Sequence, residues 1–154
     1  MTYIINKNAN TEFISGKGHQ ETVEIELFER ALCDVHRVIE KITRDIQVDI
    51  FAILGMRNLS SFIGELFAHS LAKESKGRYI KNPHQDGYPD LLLMNEWGAE
   101  LFERIKQNNG LRDKSPFSPF PNGGLEIKAT CGSVPTPAKC AKIGINKSQV
   151  QKLL

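Results

Sequence analysis

The stretch "GGLEIKATCG", residues 123–132, decides which fold the sequence predicts, because it places two opposite charges in a short run otherwise typical of a β-strand. Side chains alternate along a strand, so Glu126 and Lys128 point to one face and Ile127 points to the other. The simplest interpretation is an ion pair at the edge of a sheet. The apolar residues on either side favour an interior strand instead, where charged groups are costly unless they are paired or bind a metal.

The composition is that of an ordinary globular protein with one domain. The chain has 154 residues, of which 40% are apolar and 25% charged, and its net charge of +2 neither requires nor excludes a polyanionic partner. No apolar run reaches the roughly 18 residues that a membrane span needs, and we expect neither a signal peptide nor a membrane partner. We expect a cytoplasmic protein with reduced cysteines, because Cys33, Cys131 and Cys140 form no disulfide framework. A zinc site is disfavoured, since no second pair of Cys or His stands at ligand spacing.

Apolar periodicity predicts an α/β (α+β) fold. Helical spacing indicates helices over about 21–46, 59–74 and 96–107, the last of them capped by Asn95. Strands are expected at 90–94 and 124–129, with weaker candidates near 48–54, 78–81 and 142–146, the first of which is equally consistent with a helix. We expect residues 1–19 to form a loose N-terminal arm and residues 20–154 to form the domain.

The second predicted helix carries an isolated carboxylate on a face of small residues. Glu65 lies among Ser61, Gly64, Ala68 and Ala72. Small residues on a helix face permit close approach of another element, so Glu65 is either a solvated surface residue or aimed at a site nearby. The sequence leaves both interpretations open.

Asp90 completes a candidate metal site. It follows Pro89 and opens the apolar run "LLLM", so it lies at the end of a predicted buried strand. If this strand pairs with the strand of Glu126, two carboxylates and the Lys128 ammonium converge. Mg²⁺ prefers such hard oxygen ligands and keeps several waters, and the backbone carbonyl of Ile127 could be a further ligand. The metal would neutralise a phosphate and activate water, and a lysine could orient or deprotonate that water.

These residues resemble a known signature. Pro89-Asp90 followed by Glu126-Ile127-Lys128 is similar to the motif of the PD-(D/E)XK nucleases in its Glu form. With "FIGELFA" before it and "GGLEIKATCGSVPTP" around it, the sequence resembles type II restriction endonucleases over about residues 58–137. The resemblance implies a restriction-endonuclease-like core, in which helices flank a mixed β-sheet. It further implies Mg²⁺ as cofactor and hydrolysis of phosphodiester bonds in double-stranded DNA at a specific sequence, with 5′-phosphate products.

The resemblance also implies roles for individual residues. Asp90, Glu126 and Lys128 would be catalytic, and Glu65 matches a helix glutamate that lies near the metal in such enzymes. The expected metal ligands are Asp90, Glu126, Glu65 and the Ile127 carbonyl. Residues expected to contact DNA are Thr130, Ser133, Lys139, Lys142, Lys147 and Gln149, with Lys152 and His84 as further candidates. As an alternative, the lysines after Lys128 form a solvated face.

Two departures from the pattern shape the remaining expectations. The spacing between Asp90 and Glu126 is long for the family and requires an inserted helix at 96–107, and few residues follow Lys128. We therefore expect a chain that is incomplete at the C-terminus, or one that completes its site as a homodimer, because a two-fold protein matches a palindromic DNA site. A restriction enzyme also implies a cognate DNA methyltransferase. The alternatives are a repair or junction-resolving nuclease of the same fold and a truncated, inactive DNA-binding module.

Overall fold

A computed structural model describes residues 11–130 of the chain. The strands in this part are β1 (Glu12–Ile14), β2 (Gln20–Thr22), β3 (Tyr79–Lys81), β4 (Leu91–Leu93) and β5 (Gly124–Leu125). The α-helices are α1 (Ile25–Ile46), α2 (Ile50–Ile53), α3 (Met56–Glu74) and α4 (Glu96–Gln107), and two 3₁₀ turns follow at Gly110–Arg112 and Ser115–Phe117. The predicted α+β class is confirmed for these residues.

A three-stranded sheet forms the centre of the described part. β3 and β5 each pair antiparallel with β4, so the strand order is β3-β4-β5. Leu91, Leu92 and Leu93 of β4 are fully buried. A central strand buried on both faces explains why this run is continuously apolar rather than alternating.

Helices cover both faces of this sheet. Leu91 and Leu93 pack on one side in a cluster with residues of α1 and α3, namely Leu27, Ala31, Ala68 and Leu71. Leu92 packs on the other side with Phe117 and Phe120, against which side chains of α4 lie. The alternation of β4 therefore divides the core into two layers.

Several predicted elements have different bounds in the structure. All strand pairs among residues 11–130 are antiparallel, so the mixed sheet that we expected is not found in this part of the chain. Of the predicted arm over 1–19, residues 1–10 lie outside the described part, and the β1–β2 hairpin begins within the remainder, at Glu12. The helix α1 begins after this hairpin, at Ile25 instead of residue 21. The predicted strand at 124–129 is assigned only as Gly124–Leu125.

The local capping signals account for the helix boundaries. Asn95 caps α4 as predicted, and its side chain accepts a hydrogen bond of 3.0 Å from the Gly98 N–H. The ambiguous segment 48–54 contains the single-turn helix α2, whose cap Asp49 accepts a hydrogen bond of 2.9 Å from the Phe51 N–H.

The weaker strand candidate near 78–81 is β3. The candidate at 142–146 lies outside the described residues. No helix in residues 11–130 has the length and apolar character that a bilayer crossing requires.

A buried carboxylate joins α1 to α3. Asp34 is buried in this interface and accepts hydrogen bonds from the Ser70 hydroxyl at 3.0 Å and from Lys73 Nζ at 2.8 Å. Arg37 lies 3.5 Å from the same carboxylate. The contact with Lys73 is the main cause that holds the pKa of Asp34 below its ordinary value, against the opposing effect of burial. Asp34 therefore stabilises the helix pair in its ionised form.

Replacement of Asp34 should reveal this contribution through its pH dependence. A carboxyl group whose pKa is lowered by folding contributes stability above its unfolded pKa, and that contribution is lost as the pH falls through the folded value. We expect Asp34→Asn to lower the free energy of unfolding by about 1–3 kcal/mol at pH 7. The difference from the wild type should shrink as the pH drops below about 4. Urea unfolding at a series of pH values measures both.

Asp45→Asn is the matched control, because Asp45 is exposed near the end of the same helix. It should change the free energy of unfolding by no more than about 0.5 kcal/mol at any pH. An Asp34→Asn variant as stable as this control at pH 7 would contradict the assigned role.

Candidate active site

An open cleft of about 680 Å³ lies between α3 and the end of the sheet that contains Asp90. Three segments line it: one face of α3, residues 81–85 with Asp90, and residues 127–129. Four of the lining side chains are acidic residues or lysines, namely Glu65, Lys81, Asp90 and Lys128. The cleft is therefore a polar groove that brings together segments distant in sequence.

Asp90 and Glu126 are held together by reciprocal contacts between their segments. The Ile127 N–H donates a hydrogen bond of 2.7 Å to the Asp90 carboxylate, and the Asp90 N–H donates one of 3.2 Å to the Glu126 carboxylate. Each contact joins the backbone of one segment to a side chain of the other. The structure thus brings the predicted pair together across a separation of 36 residues.

Lys128 joins this pair through Glu126. Its Nζ forms an ion pair with Glu126 Oε1, so the acid and base of the 124–129 segment do meet, while Ile127 packs against the apolar cluster on the side of α1 and α3. The Glu126 side chain is 28% exposed and that of Lys128 is 58% exposed. The expectation of an interior position for these charges is therefore wrong, because the chain leaves the sheet after Leu125 and both charges lie at its open end.

Asp90, Glu126 and Lys128 place two close carboxylates beside an ammonium, and this arrangement affects the pKa values of Asp90 and Lys128. Burial is the largest cause that raises the pKa of Asp90 above its ordinary value, and the negative charge of Glu126 raises it further, while the Ile127 N–H and Lys128 act in the opposite direction. The contact with Glu126 raises the pKa of Lys128. Lys128 is consequently an ammonium at neutral pH, which suits it to orient water or hold an anion rather than to accept a proton.

The donor set of Asp90 and Glu126 fits a hard divalent cation. Mg²⁺ is commonly held by one or two carboxylates and completes its shell with water. Among residues 11–130, no group of three or more His, Cys, Asp or Glu side chains is arranged to hold a metal. The ion would therefore depend on this pair and on water. The backbone N–H of Ile127 donates a hydrogen bond to Asp90. The Ile127 carbonyl as a ligand of the metal stays a prediction.

Glu65 lies in the wall of the same cleft but does not contact Asp90. Its carboxylate forms an ion pair with Lys81 Nζ, at side-chain exposures of 55% and 50% respectively. Lys81 was not among the residues singled out from the sequence. Alternation in the short strand β3 puts exposed Lys81 on the same face as buried Tyr79, but a lysine at the end of a strand is too common to mark a site.

The small residues of α3 have a structural explanation. A Cβ built on Gly64 would lie 3.3 Å from Cβ of Ala129, so the glycine lets the segment after Ile127 pack closely on the helix. Ala68 on the same face is buried in the core. The predicted close approach of another element is therefore confirmed, and that element carries Lys128.

A second residue missed in the sequence positions Asp90. The buried Asn82 side chain donates hydrogen bonds to the carbonyl of Pro89 at 2.9 Å and to that of Phe117 at 3.0 Å. Its backbone N–H bonds the Asp90 carbonyl at 2.8 Å. The Asn82-Pro83 pair marks a turn in the sequence, but nothing in the pattern shows that its amide holds the residue before Asp90.

The remaining candidates fall partly outside the described residues. Thr130 is exposed at the end of the segment that carries Lys128. His84 lines the cleft, and its ring packs on that of Phe117 in a tilted arrangement with 5.4 Å between ring centroids. Its Nε2 lies 3.1 Å from the Leu111 carbonyl oxygen. The other predicted DNA contacts lie outside the described residues, namely Ser133, Lys139, Lys142, Lys147, Gln149 and Lys152.

Comparison of the chain with protein-family models, with curated proteins and with solved structures finds no match. The arrangement of the side chains in the cleft therefore carries the functional argument.

The strands β4 and β5 approach each other closely at Gly124. A Cβ at this position would lie 1.8 Å from the Leu91 carbonyl oxygen and 2.9 Å from Cγ of Pro89. We expect Gly124→Ala to push β5 away from β4, which costs about 1–3 kcal/mol as overpacking in a core does. Urea unfolding measures the loss. Gly55→Ala is the control, because a Cβ there meets nothing within 4 Å, and equal losses for both variants would show that the close contact at Gly124 is unimportant.

Proposed function

We propose that the protein is a Mg²⁺-dependent endonuclease of the type II restriction class, which hydrolyses phosphodiester bonds in double-stranded DNA, with a restriction-endonuclease-like core. The observation that carries the proposal is the convergence of Asp90, Glu126 and Lys128 at the edge of an open cleft. Two crowded carboxylates attract a divalent cation, and an adjacent ammonium attracts a phosphate. The resemblance of these same residues to the PD-(D/E)XK signature supports this reading.

The residues would have two roles, which are binding of the metal ion and orientation of the attacking water. Asp90 and Glu126 would hold the ion, which when bound supplies charge neutralisation and a more acidic water. The Lys128 ammonium would orient that water and stabilise the negative charge on the reacting phosphate. Hydrolysis forms a bond from the water oxygen to phosphorus and breaks the bond to the 3′ oxygen, which leaves as a hydroxyl group and gives a 5′-phosphate product.

Such an enzyme would have two protein partners, a second copy of the chain and a DNA methyltransferase. Palindromic DNA sites are matched by two-fold protein pairs, so each subunit of a homodimer would cut one strand. A restriction role requires a methyltransferase that protects the same sequence. Cleavage of a plasmid into a fixed set of fragments would support restriction, whereas cleavage that follows DNA structure rather than sequence would assign the same site to repair or junction resolution.

Removal of either carboxylate should abolish cleavage. We expect Asp90→Asn and Glu126→Gln to reduce Mg²⁺-dependent cleavage of plasmid DNA by about a thousandfold or more, because a bound metal contributes several kcal/mol to such a reaction. Cleavage of supercoiled plasmid followed on gels over time measures the rate. Chelation of Mg²⁺ should abolish cleavage by the wild type.

The chain contains a matched control in Glu74. Glu74-Ser75-Lys76 has the same acid-base spacing as Glu126-Ile127-Lys128, but it lies at the end of α3, where Glu74 is 3.8 Å from Arg30. Glu74→Gln should cleave at the wild-type rate. Native-rate cleavage by Asp90→Asn, or no cleavage by the wild type with Mg²⁺ or Mn²⁺, would refute the proposal.

A further inference from the structure

The cleft contains a second lysine that the signature does not include. Lys81 is the last residue of β3 and pairs in register with Leu91, the residue that follows Asp90. The next residue is tied to the same strand, because the Asn82 N–H donates a hydrogen bond of 2.8 Å to the Asp90 carbonyl. Lys81 is thus fixed by the sheet opposite the residue that follows Asp90, and it lines the cleft together with Asp90 and Lys128.

We propose that Lys81 binds a phosphate of the DNA backbone and that Glu65 holds it ready in the wall of the cleft. This inference rests on the proposed nuclease function and extends the substrate-binding surface beyond Lys128. Glu65 is then a positioning residue in the free protein, where its carboxylate pairs with Lys81.

The charge balance of the cleft supports a phosphate-binding role for Lys81. Three carboxylates, those of Glu65, Asp90 and Glu126, lie with two ammonium groups, those of Lys81 and Lys128. The formal sum is one negative charge. One divalent cation turns it into one positive charge, which matches the single negative charge of a phosphodiester. Without Lys81 the formal charge of these groups and the cation would sum to zero, so Lys128 would be the only ammonium left among them to attract the backbone.

The alternative is that Lys81 only neutralises Glu65 as a surface ion pair. Pairs at this exposure contribute about 0–1 kcal/mol, so the contact opens at little cost and leaves the ammonium free to bind a phosphate. Another lysine–glutamate pair allows a direct comparison. Lys106 and Glu103 on α4 are both 55% exposed, lie 3.3 Å apart and do not line the cleft.

The salt dependence of DNA binding separates the two roles. Fluorescein-labelled duplex fragments of the plasmid are titrated with the full chain in Ca²⁺ instead of Mg²⁺, and the DNA is checked for cleavage after each titration. Loss of one phosphate contact should lower the slope of log K against log salt by about 0.9 in magnitude. We expect this change and an affinity weakened several-fold for Lys81→Met, whereas Lys106→Met should bind like the wild type.

A double variant distinguishes phosphate binding from simple neutralisation. If Lys81 contacts phosphate, Glu65→Gln/Lys81→Met should have a slope lower by about 0.9 than Glu65→Gln alone. If Lys81 only neutralises Glu65, the two should bind alike, and that result would overturn the inference. Because binding is measured separately from cleavage, such a result in a protein that still cleaves plasmid leaves the proposed function intact. A wild type that neither binds nor cleaves duplex DNA refutes both.

Discussion

The hydrogen bond from the Ile127 N–H to the Asp90 carboxylate is the interaction on which the candidate site depends. With the reciprocal bond from the Asp90 N–H to Glu126, it joins the start of β4 to the segment that follows β5. Strand faces alternate with every residue, so a slip by one position would carry Glu126 and Lys128 away from Asp90. The two bonds therefore fix both the register of the strands and the composition of the site.

Close packing around this pair leaves little freedom to relax. Gly124 brings β5 against the Leu91 carbonyl, Gly64 admits Ala129 against α3, and the buried Asn82 amide holds Pro89. None of these contacts uses the charged groups themselves. The charged side chains consequently stay partly exposed at the cleft, while the fold is stabilised elsewhere by two apolar layers and the Asp34 network.

The sequence predicted those parts of the structure that depend on interactions between residues close together in the chain, such as helix caps. The bounds of α4 follow from the Asn95 cap and the Asn109-Gly110 stop, both of which act within a few residues. The segment of α2 was ambiguous because a short apolar run has no distinguishing period. The length of β5 could not be predicted, since the charged residues after Leu125 leave the sheet at an open end that only the tertiary structure defines.

The residues of the candidate site also divide into those that the sequence marks and those that only tertiary contacts reveal. Asp90, Glu126 and Lys128 could be selected because charges beside apolar runs are conspicuous in a sequence, although the interior position that this predicted for Glu126 and Lys128 is wrong. Lys81 and Asn82 could not, because an exposed lysine on a short strand and an Asn-Pro turn are common features. Their roles come from contacts with Glu65, Pro89 and Phe117, which no local pattern specifies.

Titration with Mn²⁺ followed by electron paramagnetic resonance shows whether Asp90 and Glu126 together hold a divalent cation. We expect one ion bound per chain in the wild type, and loss of that ion in both Asp90→Asn and Glu126→Gln with the fold retained by circular dichroism. Undiminished binding of Mn²⁺ by either variant, or its absence in the wild type, would show that this pair does not form a metal site.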